Sequence, residues 1–390
     1  MAKPSQAKSD IGLLSGNMGS IIFLYYYSRF IDSAGIENLA QNQLNLLLTQ
    51  IDNGFNLPTY CSGIFGVAWG LSLLEEERFI DLSNNDFFKE FDNFYIETHQ
   101  VYLDNQNFDF LHGYVGLGMY LIKRLENCKS IKSKEFYSQK LLEIILQLRA
   151  SAIKQGKSYC WSANVVNEKE EYNVDLGLAH GMSSIINFLS RLFVFLAFRE
   201  EVRPLLNGAI SFVRSVSMNY TNQFSLFPKE VTTNPINENP PSRLAWCRGD
   251  LGIGLSLWHA GKILRDKSLS SQAVSILLHT SKRRNLNTNL VKDACLCHGS
   301  SGLMLIFNYL YKMTTVEEFK EAATFWFEKS MAMSNHPDSE TGFLFLKYRN
   351  NKWEWKEETD ILSGVSGVGL SLLSRLSSKP LKWSQSLMVS

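Results

Sequence analysis

The chain has little of what would mark it as secreted, nucleic-acid-binding or membrane-spanning. Its 390 residues contain six cysteines, Cys61, Cys128, Cys160, Cys247, Cys295 and Cys297, too sparse and too irregular for a disulfide framework. Reduced thiols are therefore expected, most of them as buried hydrophobes. Charge of one sign is missing as well: 39 lysines and arginines face 38 acidic residues, which argues against a strongly basic face for nucleic acid or anionic lipid. The two longest uncharged apolar stretches, 11–28 and 53–74, are broken by Ser15, Gly16 and Asn17 and by Gly54, Pro58, Gly63, Gly66 and Gly70, so neither reads as a membrane span. The first follows Lys3 and Lys8 but lacks a continuous apolar centre and a small-residue cleavage site, and the expected location is the cytoplasm. Strand signals are weak throughout.

What is there is a repeat. A glycine, two residues, then a glycine or small substitute recurs seven times ahead of an apolar run: Gly16 and Gly19, Gly63 and Gly66, Gly113 and Gly116, Gly181 and Ser184, Gly249 and Gly252, Gly299 and Gly302, Gly364 and Gly367. The spacing leaves room for two helices and their connectors per unit. After each pair the apolar residues run nearly all round a helix, as in 303–307 and 368–373, so these helices must be buried on most sides. Between them lie amphipathic stripes such as Tyr137, Leu141, Ile144, Ile145 and Leu148, which read as outer helices. Thr315 and Glu318, ahead of Phe319, Ala322, Ala323 and Trp326, suggest a capping box for another.

Buried helices alternating with half-buried ones imply an all-α fold, an α/α toroid with a double ring of seven inner and seven outer helices, spanning 1–390 as a single domain. A closed ring leaves no end repeat to cap; an open solenoid is the alternative. The polar stretch 227–242 reads as one long loop, a length often functional.

Reactive residue types gather just before the glycine pairs, where inner helices begin at one rim. Cys247 and Cys297 each stand two residues before their glycine; His180 and His298 stand one before theirs. Equivalent positions in a ring point toward one axis, so Cys247, Cys297 and His298 can converge as three zinc ligands that leave a fourth tetrahedral position open. Spacing alone leaves unliganded core cysteines as the competing reading. Cys295 matches no other register and is assigned to the core. His112 shares the register of His180 and reads as a rim hydrogen bonder. His99, His259, His279 and His336 lie outside these blocks.

The blocks Trp246-Cys247-Arg248-Gly249, Cys297-His298-Gly299, Gly177-Leu178-Ala179-His180-Gly181 and Asp360-Ile361-Leu362-Ser363-Gly364 resemble the signatures of the lanthionine synthetase C family, the lanthipeptide cyclases, across nearly the whole chain. The resemblance implies one zinc held by Cys247, Cys297 and His298, with functional roles for His180, Asp109 and Arg243. It implies addition of peptide cysteine thiols to dehydroalanine or dehydrobutyrine, giving lanthionine or methyllanthionine thioether rings. The implied partners are a dehydrated precursor peptide with its leader and a separate dehydratase. Two departures stand out. Arg248 replaces the tyrosine of many bacterial members, and the fourth pair ends in Ser184. Asp109 reads equally as a helix cap, and Arg243 as the partner of a surface carboxylate. Two rival functions remain: addition of glutathione to dehydroamino acids on the same scaffold, and a non-catalytic zinc protein that binds peptides.

Overall fold

The computed structural model describes residues 11–82, 87–162, 165–166, 171–217, 224–232, 241–349 and 351–390. Helical hairpins follow one another along the chain: α1 (Asn17–Ile31) and α2 (Ala34–Asp52), α3 (Ile64–Glu76) and α4 (Lys89–Asp104), α5 (Tyr114–Asn127) and α6 (Ile131–Ser151), α7 (Met182–Phe193) and α8 (Arg199–Ser215), α9 (Asp250–Leu264) and α10 (Lys267–Ser281), α11 (Ser300–Thr314) and α12 (Glu317–Ala332), and finally α13 (Val365–Leu376). The odd-numbered helices form the inner ring, which closes because α13 packs on α1 as well as on α11. Every residue of α3 from Ile64 to Leu74 is buried, whereas α2 buries only Ala40, Leu44 and Leu47. The inner-versus-outer reading of the sequence thus holds, and closure excludes the open solenoid.

Each inner helix is capped by the first glycine of its pair, without a side-chain cap. Outer helices use ordinary caps: Ser33, Ser130 and Asp266 accept from Ile36, Ser133 and Leu269 amides. The glycine is sterically required. At Gly249 φ is +95°, and an added Cβ would collide with the Arg243 carbonyl oxygen six residues back. Thr315 does not open a capping box: at φ 58° it ends α11 in the left-handed conformation, and α12 starts after Val316 with no side-chain cap.

Two further departures bear on the site. Among the described residues there are six outer helices, because a 3-10 segment, Lys382–Leu387, follows α13 in place of a seventh. Residues 383–389 turn into the ring. Trp383, Leu387, Met388 and Val389 are fully buried, and the segment's carbonyls accept from Tyr60 Oη (Ser386, 3.3 Å) and Trp246 Nε1 (Leu387, 2.9 Å). The second departure is short strands at the longer repeat spacings. β1 (Ile153–Gln155) and β2 (Ser158–Cys160) form one hairpin, β3 (Val165–Val166), β4 (Glu171–Asp175) and β5 (Glu230–Thr232) a small antiparallel sheet, and β6 (Phe345–Arg349) and β7 (Lys352–Lys356) another hairpin. The stretch read as a loop over 227–242 therefore contains a strand, with Val231 opposite Val174; residues 233–240 lie outside the described residues. Its two described ends are clamped by the buried Asp250 carboxylate, which accepts from Leu226 N (2.9 Å) and Phe227 N (3.1 Å) at one end and Ser242 Oγ (3.3 Å) at the other, and pairs with Arg283 Nη1 (2.9 Å).

Candidate functional site

The residue two before each first glycine belongs to a belt of backbone hydrogen bonds around one rim. Leu14 N donates to Cys61 O (2.9 Å) and Cys61 N to Leu111 O (2.9 Å); Ala179 N donates to Cys247 O (3.1 Å), Cys247 N to Cys297 O (3.3 Å), Cys297 N to Leu362 O (2.8 Å) and Leu362 N back to Leu14 O (3.0 Å). One link is replaced. Leu111 N donates instead to Asp109 Oδ1 at 2.7 Å, as does His112 N at 2.7 Å, so the belt opens between the third and fourth hairpins. The belt explains why Cys247 and Cys297, about 50 residues apart in sequence and equal in register, emerge side by side.

The Cys247 and Cys297 sulfurs and a His298 ring nitrogen lie within 4.8 Å of one another. Two soft thiols and an imidazole suit zinc, and three protein donors leave a coordination position over. The Cys297 thiol donates to the Cys247 sulfur, which pushes Cys247 below the usual thiol range and Cys297 well above it; Arg243 and Arg248 assist the first shift. Burial, reinforced by Arg243, pushes the His298 pKa down, toward the neutral form that can ligate. A second trio, Asp293, Cys295 and His298, is equally compact. It fits a metal less well. Asp293 spends its two oxygens on Cys295 N and Leu346 N, each at 2.9 Å, and burial raises the Cys295 thiol well above its ordinary value. Cys295 is core, as its register suggested.

Across the opened belt link, His180 Nδ1 donates to Asp109 Oδ2 at 2.6 Å. That bond raises the His180 pKa against the opposing effect of burial. The His112 ring stacks near His180, centroids 6.4 Å apart, and burial lowers its pKa. The His112 backbone N joins the Asp109 turn, and its ring lies beside that of His180. Asp109 does not cap α5, whose cap is Gly113; it holds the turn ahead of that helix and partners His180.

Arg243 does not reach His180. Its Nη2 donates to Leu290 O (2.7 Å) and His298 O (3.3 Å), bracing the turn that carries Cys297 and His298. Sequence reasoning missed Asp175, at the end of β4, whose Oδ1 accepts from Gly177 N (2.6 Å) while Oδ2 takes Arg248 Nη2 (2.7 Å). A signal was present: Asp175 and Asp293 share a register six residues before the first glycine. His180, Arg243, Cys247, Arg248 and Cys297 all line one open cavity of about 410 Å³, together with Leu111 and Lys229. A thiol held near the two cysteines would thus share a chamber with the His180 imidazole and two guanidinium groups.

Among the described residues no single helix is long and apolar enough to cross a membrane. No curated protein sequence matches the chain. Of solved structures, nisin cyclase superposes with a TM-score of 0.76 over 98% of this chain and 93% of that one, at 19% identity, which shows a shared fold. A sugar epimerase from a ruminal bacterium aligns over 94% of this chain and 88% of that one with a TM-score of 0.42 and 11% identity, too distant to carry an argument. The model of one family, the lanthionine synthetase C-like proteins, matches residues 8–388, and the chain belongs to that family.

Proposed function

We propose that the protein is a zinc-dependent lanthipeptide cyclase that closes thioether rings on a dehydrated precursor peptide, a separate dehydratase having acted first. The observation that carries this reading is that His180, bonded to Asp109, lines the same cavity as Cys247 and Cys297, the two sulfurs clustered with the His298 ring. That arrangement puts a proton donor opposite a thiol-binding centre, which addition across a carbon–carbon double bond requires. Reduced thiols on enzyme and peptide suit the cytoplasm.

Cys247, Cys297 and His298 would hold the zinc, which when bound supplies a Lewis acid able to keep a peptide thiol, of ordinary pKa about 8.5, deprotonated near neutral pH. His180 performs the proton step. With Nδ1 committed to Asp109, Nε2 is the nitrogen left to carry the proton delivered to the substrate α-carbon, and the Asp109 carboxylate keeps the imidazolium populated. Arg243 fixes the His298 carbonyl and lends its charge to both thiols.

Ring closure leaves peptide mass unchanged, so the test reads free thiols. Dehydrated peptide incubated with zinc-loaded protein and then alkylated should carry no label at ringed cysteines. Cysteines that remain alkylatable, while added glutathione is consumed, would replace this reading with glutathione addition. Neither outcome, with zinc bound, would leave a peptide-binding scaffold. Metal analysis checks the site separately: Cys247→Ala and Cys297→Ala should each lose most of about one zinc per chain, and full retention in both would refute the ligand assignment.

A further inference from the structure

We propose that Arg248, braced by Asp175, is the cation that stabilises the negative charge developed on the acceptor carbonyl oxygen during thiol addition. The assignment rests on the cyclase reading above. Two arginines line the chamber, and the structure separates their tasks. Arg243 commits its Nη2 to two backbone carbonyls, Leu290 O and His298 O, and its Nε is buried away from solvent. The Arg248 head makes its contact with the Asp175 carboxylate at 2.7 Å, and its side chain stays one-third exposed (33%) while that of Asp175 is 18% exposed. A guanidinium held along one edge by a carboxylate keeps further N–H donors in a fixed plane.

The surroundings place those donors where they are needed. Arg248 follows the thiol-bearing Cys247 directly, and its stem lies across the turn that carries His180. A Cβ added at Gly177 would come within 2.9 Å of Arg248 Cγ and 2.5 Å of the Cys247 carbonyl, so the glycine makes room for this crossing. Asp175 is itself fixed by the Gly177 amide and by the pairing of β4 with β5. The arginine therefore bridges the thiol side and the imidazole side of one cavity.

The chemistry calls for a cation between those sides. The peptide thiol gives its proton to solvent, and the sulfur forms a bond to the β-carbon. The electron pair of the carbon–carbon double bond shifts through the α-carbon onto the carbonyl oxygen, where Arg248 N–H groups receive it. His180 then delivers its proton to the α-carbon, the carbonyl is restored, and solvent reprotonates His180. The net change is addition of S–H across the double bond. A preorganised donor at a developing oxyanion is worth a factor of about 10² to 10³ in rate.

The test uses the zinc-loaded full chain with dehydrated peptide, following loss of alkylatable thiol alongside zinc content and thermal unfolding. Arg248→Met keeps the apolar stem over Gly177 without the charge. It should hold its zinc, lose about 10² in kcat and change KM far less. Arg248→Ala should recover at least about tenfold of its lost rate on addition of guanidinium at concentrations that leave wild type folded, a response no packing role would give. Wild-type kcat in Arg248→Met, or a defect confined to KM, overturns the assignment. So does an inactive but folded, zinc-loaded Arg248→Ala that guanidinium fails to restore; if that variant does not fold, Arg248→Met decides. Wild-type protein that leaves the cysteines alkylatable would instead sink the cyclase reading itself, and an active wild type with equally active variants sinks only the role of Arg248.

Discussion

Asp109 divides its carboxylate between two tasks, with Oδ1 on the Leu111 and His112 amides and Oδ2 on His180. The second sets a pH dependence. A histidine whose pKa is raised by an anionic partner stays protonated to higher pH, and a general acid works only while protonated. Replacing the anion, as in Asp109→Asn, should lower kcat and move the falling alkaline limb of its pH profile to lower pH; a limb that stays put would mean that His180 is not the titrating acid. The pair has a stability counterpart of the same sign. Its contribution is fully present below the unfolded histidine pKa of about 6.5 and fades as pH rises through the raised folded value. His180→Asn should keep zinc and lose cyclisation by about 10² to 10⁴, and loss of the metal would make His180 a ligand instead. Much of this was legible in the sequence, because register relative to the glycine pairs is what places Cys247, Cys297, His298 and His180 on one rim. The partners of Arg243 and Arg248 were not. Both depend on side chains and carbonyls that only closure of the ring brings together, such as His298 O, 55 residues beyond Arg243.

At the scale of elements, the seven inner helices announce themselves because the first glycine caps each of them, and at Gly63, Gly113, Gly181, Gly249, Gly299 and Gly364 the same close approach to the turn before it repeats. Residues 381–390 carry no such demand and no periodicity, so their place in the ring was invisible to pattern reading. They nevertheless underlie the site, since the Leu387 carbonyl accepts from the indole of Trp246, next to Cys247. Trp246 is wholly buried, so Trp246→Phe should cost about 1 kcal/mol for the hydrogen bond plus a further penalty for the lost ring volume. The measurement is chemical denaturation with zinc content followed in parallel. Deleting 381–390 removes the burial of Trp383, Leu387, Met388 and Val389, each worth about 1.5 to 3 kcal/mol, a sum comparable to the whole stability of a typical protein. A deletion variant that folds with an unchanged unfolding midpoint would show that these residues only decorate the ring. The capping box expected at Thr315 failed for a related reason. The sequence offers a Thr and a Glu three apart, but the preceding helix ends there, and its left-handed last residue fixes Thr315 before any cap can form.

For the whole molecule, the ring has one seam, and the proposed metal lies across it. Around the inner ring α1 packs on α3, α3 on α5, α5 on α7, α7 on α9, α11 on α13 and α13 on α1. Only between α9 and α11 do the backbones barely approach, held apart by Trp258 and His259 against Tyr309, with ring centroids 6.1 and 6.0 Å apart. Of the belt links that form, the one here, from Cys247 N to Cys297 O, is the longest at 3.3 Å, whereas the open link lies between α5 and α7, which do pack together. Cys247 precedes α9, and Cys297 and His298 precede α11, so a zinc bound by all three would clasp the two hairpins where their own packing is thinnest. Binding to the folded state alone stabilises by about 2.7 kcal/mol at a hundredfold excess over Kd, and here most of that should be felt locally. Hydrogen exchange compared with and without zinc should show protection gained over 243–256 and 293–303, with α3 and α5 unchanged. A uniform gain along the chain would mean that the metal stabilises only the global fold, and no gain at the seam would remove the clasp altogether.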